Sequence, residues 1–272
     1  MTATLSRPTD LGPGRVTQVG VLRSEWIKLR SLRSTWFSLL AAFVIIDGLG
    51  TLFSALRAHD INQHGGAGFD FDATEVSLRG VFLAQLAIGV LGVLVISGEY
   101  STGMIRSSLA AVPRRTPVLV AKAAVFAGVV LGFSLVASFG AFMIGQQVQA
   151  STHLQASLST PGAWRAIVGA ALYLTLIGLM AVGLGFLIRV TAGAIAALFG
   201  IVLVAPILAE ALPAPYGTDV DKYLPLTAGM RVVATVNPDS NTLGPWAGIG
   251  VTALYAAVAL AAGLVALRRR DG

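Results

Sequence analysis

Gly98-Glu99-Tyr100-Ser101-Thr102-Gly103-Met104-Ile105-Arg106, running on to Pro113-Arg114-Arg115, is a charged, turn-rich insert between two long apolar runs. In a chain this hydrophobic the insert has to lie in water, because charges and turn backbone find no partners in hydrocarbon. After Gly103, the residues Ile105, Leu109 and Val112 recur at helical spacing, and Pro113 ends the pattern because its ring blocks continuation. The spacing predicts a short amphipathic helix at a membrane surface, with Glu99 just before it and Arg114 and Arg115 just after. The plainer reading is a basic connector; the ordered, turn-punctuated build weighs against it.

The apolar runs on either side decide the fold class. Of 272 residues, 55% are hydrophobic and 12% charged, and mean hydropathy is +0.78. A soluble domain carries about 25% charged residues. A spanning helix needs roughly 20 mainly apolar residues. Six segments qualify, near 36–56, 81–97, 118–145, 164–188, 192–212 and 246–267. The expected fold is an all-α polytopic membrane protein, with residues 19–272 as one membrane domain. Residues 1–18 hold several prolines and glycines and no apolar run, so they read as a disordered tail rather than a signal peptide.

Lys and Arg set the orientation. With the N-terminus inside, 14 of the 19 basic residues fall on inner segments and 5 on outer ones. The carboxylates lean the other way, with Asp60, Asp70, Asp72 and Glu75 in the first outer loop. An even number of spans puts both termini in the cytoplasm, in agreement with Arg268-Arg269-Arg270. The net charge of +6 therefore reads as topology and contact with anionic lipid, not as a nucleic-acid footprint.

Before the first span, Val19 to Ser34 reads as an interfacial helix. Leu22, Trp26, Leu29 and Trp36 form one stripe, flanked by Arg23 and Arg30 on one side and Lys28 on the other, with Glu25 beside Trp26. The outer loop His59–Arg79 is acidic and glycine-rich and reads as solvated. Asp70 and Asp72 fall short of the oxygen ligands a calcium loop needs. The stretch Pro213–Pro245 is too apolar for a plain water-exposed loop, which suggests a short helix on or dipping into the outer leaflet.

Catalytic signatures are missing. There is no cysteine, no Gly-x-x-x-x-Gly-Lys-Ser/Thr and no His-Glu-x-x-His. His59, His64 and His153 fall in predicted outer loops without metal-ligand neighbours, so neither metal nor cofactor is expected in this chain. Energy for transport has to come from an ion gradient or another subunit. Asp47 is the clear intramembrane charge. Either it faces a polar cavity or subunit interface, with Gln85, Tyr173 or Thr175 as candidate partners, or it is a structural carboxyl. Gly48 and Gly50 beside it, and the Gly-x-x-x-Gly pairs Gly128/Gly132 and Gly244/Gly248, allow close helix packing, within the subunit or in a dimer.

Ser24-Glu25-Trp26-Ile27-Lys28-Leu29-Arg30-Ser31-Leu32-Arg33-Ser34-Thr35-Trp36 resembles the start of bacterial, especially actinobacterial, ABC transporter permeases of the type-2 export class. Glu99 to Gly103 with Arg106, Leu109, Pro113-Arg114-Arg115 and Lys122 is similar to that family's inner loop, and Leu224-Pro225 with Gly229 to its stretch before the last span. The resemblance implies a plasma-membrane exporter permease with an interfacial helix containing Glu25, Trp26, Lys28 and Arg30. It implies a coupling helix built on Glu99, Tyr100, Gly103, Ile105, Arg106, Leu109, Arg114 and Arg115. It also implies a permease homodimer or pseudo-dimer bound to two separate ATPase subunits, which hold the ATP and Mg. An ion-coupled secondary transporter and a non-transporting membrane anchor or sensor are the alternatives.

Overall fold

The computed structural model describes residues 17–64, 71–105, 115–213, 215–236 and 242–270. The described residues contain helices and no strand. Six helical stretches are long and apolar enough to cross a membrane: Arg33–His64, Ala73–Ser101, Thr116–Thr152, Ala163–Ile188, Thr191–Glu210 and Pro245–Arg269. The protein is a multi-pass membrane protein.

Helix α1 (Gln18–Ser31) starts where Thr17 accepts a hydrogen bond from the Gly20 N–H, 3.2 Å away. It stops at Leu32, which is extended, and α2 (Arg33–His64) begins at the next residue. The Trp36 indole donates back to the Arg30 carbonyl across this corner at 3.0 Å. Val21, Glu25 and Leu29 turn inward, while Leu22 and Trp26 stay exposed on the outer side. The expected apolar stripe therefore splits: its Leu22–Trp26 edge faces away from the protein, and a second edge one residue behind packs against it.

The first span runs several residues beyond the expected 36–56 at both ends, and His59 and His64 belong to it rather than to a loop. The loop His59–Arg79 is not simply solvated. Residues 65–70 lie outside the described ones. Beyond them, α3 (Ala73–Leu78) is almost wholly buried and leads into α4 (Val81–Ser101). The second span thus starts with a broken first turn.

Helix α5 (Arg115–Gln149) and α6 (Ala163–Ile188) follow. Helix α6 is the axis of the bundle and packs against α4, α5 and α11 (Pro245–Arg270). Lipid tails are as apolar as leucine, so close backbone approach rather than water exclusion holds such helices together. Glycines provide it: a Cβ on Gly92 would lie 2.6 Å from the Gly178 carbonyl oxygen, and one on Gly263 2.8 Å from that of Gly183. Gly128 and Gly132 do not share this role; their α positions face open space on the outer surface of α5, as does that of Gly48 on α2. Gly50, by contrast, sits directly against the Ser77 carbonyl.

The fifth span consists of α7 (Thr191–Phe199), a π turn over Gly200–Val204 and α8 (Ala205–Glu210). Pro206 explains the π turn. It offers no N–H to the preceding turn, and the widened backbone accommodates the lost bond. Where a short helix is expected before the last span there are two, α9 (Tyr216–Asp221) and α10 (Pro225–Met230). Pro225 opens α10, where a missing N–H costs nothing. A Cβ on Gly229 would lie 2.3 Å from the Tyr173 ring, and Ala228 packs against the backbone of Gly248. Val232 and Val233 are fully buried.

Candidate functional site

Helices α1, α4 and α5 converge at the end of the bundle where α1 lies, called here the near end. Glu25 comes from the inward edge of α1, Glu99 from the last turn of α4, and Lys122 from the second turn of α5. The Lys122 ammonium bridges both carboxylates: it pairs with Glu25 Oε2 and lies 2.7 Å from Glu99 Oε1. Lys28 closes the set, 2.8 Å from Glu25 Oε1 and 3.4 Å from Glu99 Oε1. Two acids and two bases make a neutral quartet. Lys122 is only 3% exposed, and beside the quartet a space of about 10 Å³ remains, room for one water at most. Partial burial of Lys28 works to lower its pKa, but its hydrogen bond to Glu25 and the fields of Glu99 and Glu25 outweigh it, holding the pKa above its usual 10.5.

A second tie sits at the same end. Arg189 closes α6 in the left-handed conformation, φ 66°, with its N–H on the Gly185 carbonyl. Its guanidinium lies 5.0 Å from the centre of the Tyr100 ring and donates to the Ala266 carbonyl at 3.2 Å, joining α6 to α4 and α11. Arg268 donates to the Thr116 hydroxyl at 2.8 Å. These contacts link the ends of α6 and α11 at this face to the end of α4 and the start of α5.

The expected coupling segment divides. Gly103 has φ 72° and ends α4, and Ile105 is buried against the core. Arg106, Leu109 and Arg114 lie outside the described residues, and Arg115 opens α5. Glu99 is 6% exposed, so its carboxylate belongs to the interior rather than to a surface offered to a partner. Lys122, placed by sequence in the inner loop, stands inside α5. Of the interfacial set, Glu25 and Lys28 join the quartet, while Trp26 and Arg30 remain outside it and exposed.

Asp47 is buried in the α2–α5 seam, where a Cβ on Gly140 would lie 2.8 Å from Oδ1. Neither oxygen has a hydrogen-bond partner among the described residues. The expected partners are engaged elsewhere: Tyr173 donates to Gln85, and Thr175 to the Ala171 carbonyl at 2.7 Å.

At the opposite, far end the structure holds a site that sequence reading missed. Asp72 Oδ1 accepts the N–H groups of Thr74 and Glu75, each at 3.0 Å, and the Thr235 hydroxyl at 2.9 Å. Its Oδ2 accepts the N–H groups of Thr235 and of Val236, the latter at 2.9 Å. Asp72 so pins the start of α3 to the segment after α10. Gln146 and Gln149 of α5 complete this clasp by donating to the Ala73 carbonyl at 3.0 and 3.2 Å. The local signal was there: Asp72-Ala73-Thr74-Glu75 has the Asp-x-x-Glu spacing of a helix start.

With both ends described, comparison with known proteins adds the family. A family model described as ABC-2 family transporter protein matches residues 21–212. The chain belongs to the ABC-2 transporter family. The match begins within α1 and ends just past α8, so it contains the whole quartet and five of the six spans. No curated protein matches the chain. As a member of that family with six apolar helices, the protein is a membrane transporter permease.

Proposed function

We propose that this permease is the membrane subunit of an ATP-driven exporter, moving a hydrophobic or amphipathic substrate out of the cell while a separate ATPase subunit binds ATP and Mg and hydrolyses the nucleotide. The observation that carries this reading is the buried quartet of Glu25, Lys28, Glu99 and Lys122. It ties the surface helix α1 to the end of α4 and the start of α5, the two helices joined by the segment that bears Arg106, Leu109 and Arg114. A push on that segment reaches three helices at once. Glu99 then transmits the motion from inside, and the contact with the ATPase falls to Arg106 and its neighbours in sequence.

The basic-residue count supports a near end facing the cytoplasm of a plasma-membrane protein, both termini included. The family resemblance, with its bacterial and actinobacterial character, supports two copies of the ATPase on a permease homodimer or pseudo-dimer. The test is co-expression with a P-loop ATPase encoded alongside. Arg106→Glu should lower ATPase stimulation or complex assembly and leave membrane insertion intact. Normal coupled activity in that variant would overturn the coupling assignment.

A second reading, ion-coupled transport, rests on the unpartnered Asp47 carboxyl in the α2–α5 seam. It requires transport that survives ATP depletion and fails when the proton gradient is collapsed, with Asp47→Asn removing that dependence.

A further inference from the structure

The end of α4 reaches three ways. Glu99 joins α1 and α5 through the quartet. Ser97, which is buried, accepts a hydrogen bond from the Thr191 hydroxyl at the start of α7, 2.9 Å away. The Tyr100 ring lies 5.0 Å from the Arg189 guanidinium, which also donates to the Ala266 carbonyl of α11 at 3.2 Å. The quartet accounts for the first direction only. We infer that Arg189 is a positioning residue for coupling, passing movement of the end of α4 on to the fifth span and α11 by a branch separate from the quartet. This role rests on the ATPase-coupled reading above, of which it is one branch.

The backbone gives the first argument. A helix that closes in the left-handed conformation most often does so on glycine, because a Cβ is crowded there. Arg189 holds φ 66° in spite of its Cβ. Such a residue persists where its surroundings hold it, and here they are the Gly185 carbonyl, which accepts its N–H at 2.9 Å, the Tyr100 ring and the Ala266 carbonyl. Glycine would close α6 with less strain. What the arginine adds is its hold on α4 and α11, made by a planar cation that stacks on a ring and donates from its edge.

The link to the fifth span gives the second. Only Arg189 and Val190 separate α6 from α7, so the connection has little slack. About two turns further on, Leu198 fills the space that a side chain on Gly89 of α4 would need. Helix α7 is thus seated on α4 at Thr191 and again at Leu198, and the π turn over Gly200–Val204 follows at once. Rotation at the end of α4 carries α7 with it as a unit. The strain is taken up at the π turn, where the regular hydrogen-bond ladder is interrupted, and α8 beyond it moves.

The test uses the full permease in nanodiscs with its co-encoded ATPase made free of cysteine, and compares spin-label mobility without nucleotide and after trapping with ADP and vanadate. One label is on Val19→Cys of α1, the other on Ile207→Cys of α8, both exposed. Both should respond in the wild type. Arg189→Gly, which suits the backbone, should lose most of the α8 response and keep that of α1. Tyr100→Leu should do the same, and Tyr100→Phe, which keeps the ring, should respond like wild type. Arg189→Lys should fall between wild type and Arg189→Gly. A full α8 response in Arg189→Gly would overturn the inference and leave the coupling reading intact. Equal loss at both labels would overturn it too, by making Arg189 a support of the fold. A wild type silent at both labels would sink the coupling reading, and this branch with it.

Discussion

The two ends of the bundle are fastened in opposite ways. At the near end four long, flexible side chains meet one another, charge to charge, across three helices. At the far end one short carboxylate and two amides grip backbone groups. Backbone-directed bonds fix where a chain segment is, because the partner cannot turn away. A side-chain quartet fixes only that its members stay paired, and lysines and glutamates can re-pair as helices slide. The far end thus has the build of a hinge and the near end that of a joint that can be released and reset. In hinge and shear motions, packed helices slide by small amounts about such fixed points.

The largest expected effect tests the near end. Lys122→Met leaves Glu25 and Glu99 buried with only Lys28 between them. Removing one member of a buried ion set costs about 3–5 kcal/mol, and the apparent melting temperature in detergent should fall sharply. The informative partner is the quadruple variant Glu25→Met, Lys28→Met, Glu99→Met, Lys122→Met. Apolar replacement of a whole buried set by residues of similar volume is often neutral or stabilising. If the quartet is a joint, that variant melts near or above wild type and loses coupled activity. Retained coupling would reduce the quartet to packing.

Next comes the far end. Asp72→Ala removes the cap of α3, which costs about 0.5–2 kcal/mol, and frees the N–H groups of Thr235 and Val236. Val236 is exposed, so water recovers part of that loss, and a total of about 2–4 kcal/mol is expected. Asp72→Asn keeps one acceptor and should cost less. If the far end is the hinge, hydrogen exchange will rise on both sides of the clasp, in α3 and after α10, at once. A rise confined to α3 would separate the two segments and break the comparison.

Gly229→Ala should follow. A methyl group there runs into the Tyr173 ring, which is fully buried and bonded to Gln85. Overpacking of this kind costs about 1–3 kcal/mol. Tyr173→Phe in the same chain should not relieve it, since the ring remains; Tyr173→Ala should.

How much of this the sequence disclosed follows from distance along the chain. The six spans were legible because apolar length is a local property. Glu25, Lys28 and Glu99 stood out as motif residues, but their union did not, since Lys122 reaches a partner 97 residues away. Asp72 was misread for the same reason. Its neighbourhood is acidic and glycine-rich, which locally means a solvated loop, while its decisive partners are 163 and 164 residues distant. Asp47 shows the converse: its charge was visible, yet the polar residues expected to meet it had closer partners of their own.

The smallest effect distinguishes the ends by pH. Lys28 has its pKa held above the usual 10.5 by Glu25 and Glu99, against the lowering effect of burial. A base whose pKa is higher folded than unfolded stabilises fully below its unfolded value and loses that increment as pH rises through the folded one. The affected range therefore opens above about pH 10.5, and with the ammonium partly solvated the increment stays below about 1 kcal/mol. The chain has no cysteine, so a single label can be placed at will. A fluorophore on Val19→Cys, at the exposed start of α1, should gain mobility as pH rises above about 10.5. In the Lys28→Gln background that mobility gain should be markedly smaller and should start from a looser baseline. A label on Asn62→Cys, in the last turn of α2, should hardly respond, because no lysine takes part in the bonds that close the far end. Equal loosening at both labels would mean that the bundle opens as one body, and the distinction between hinge and joint would fall with it.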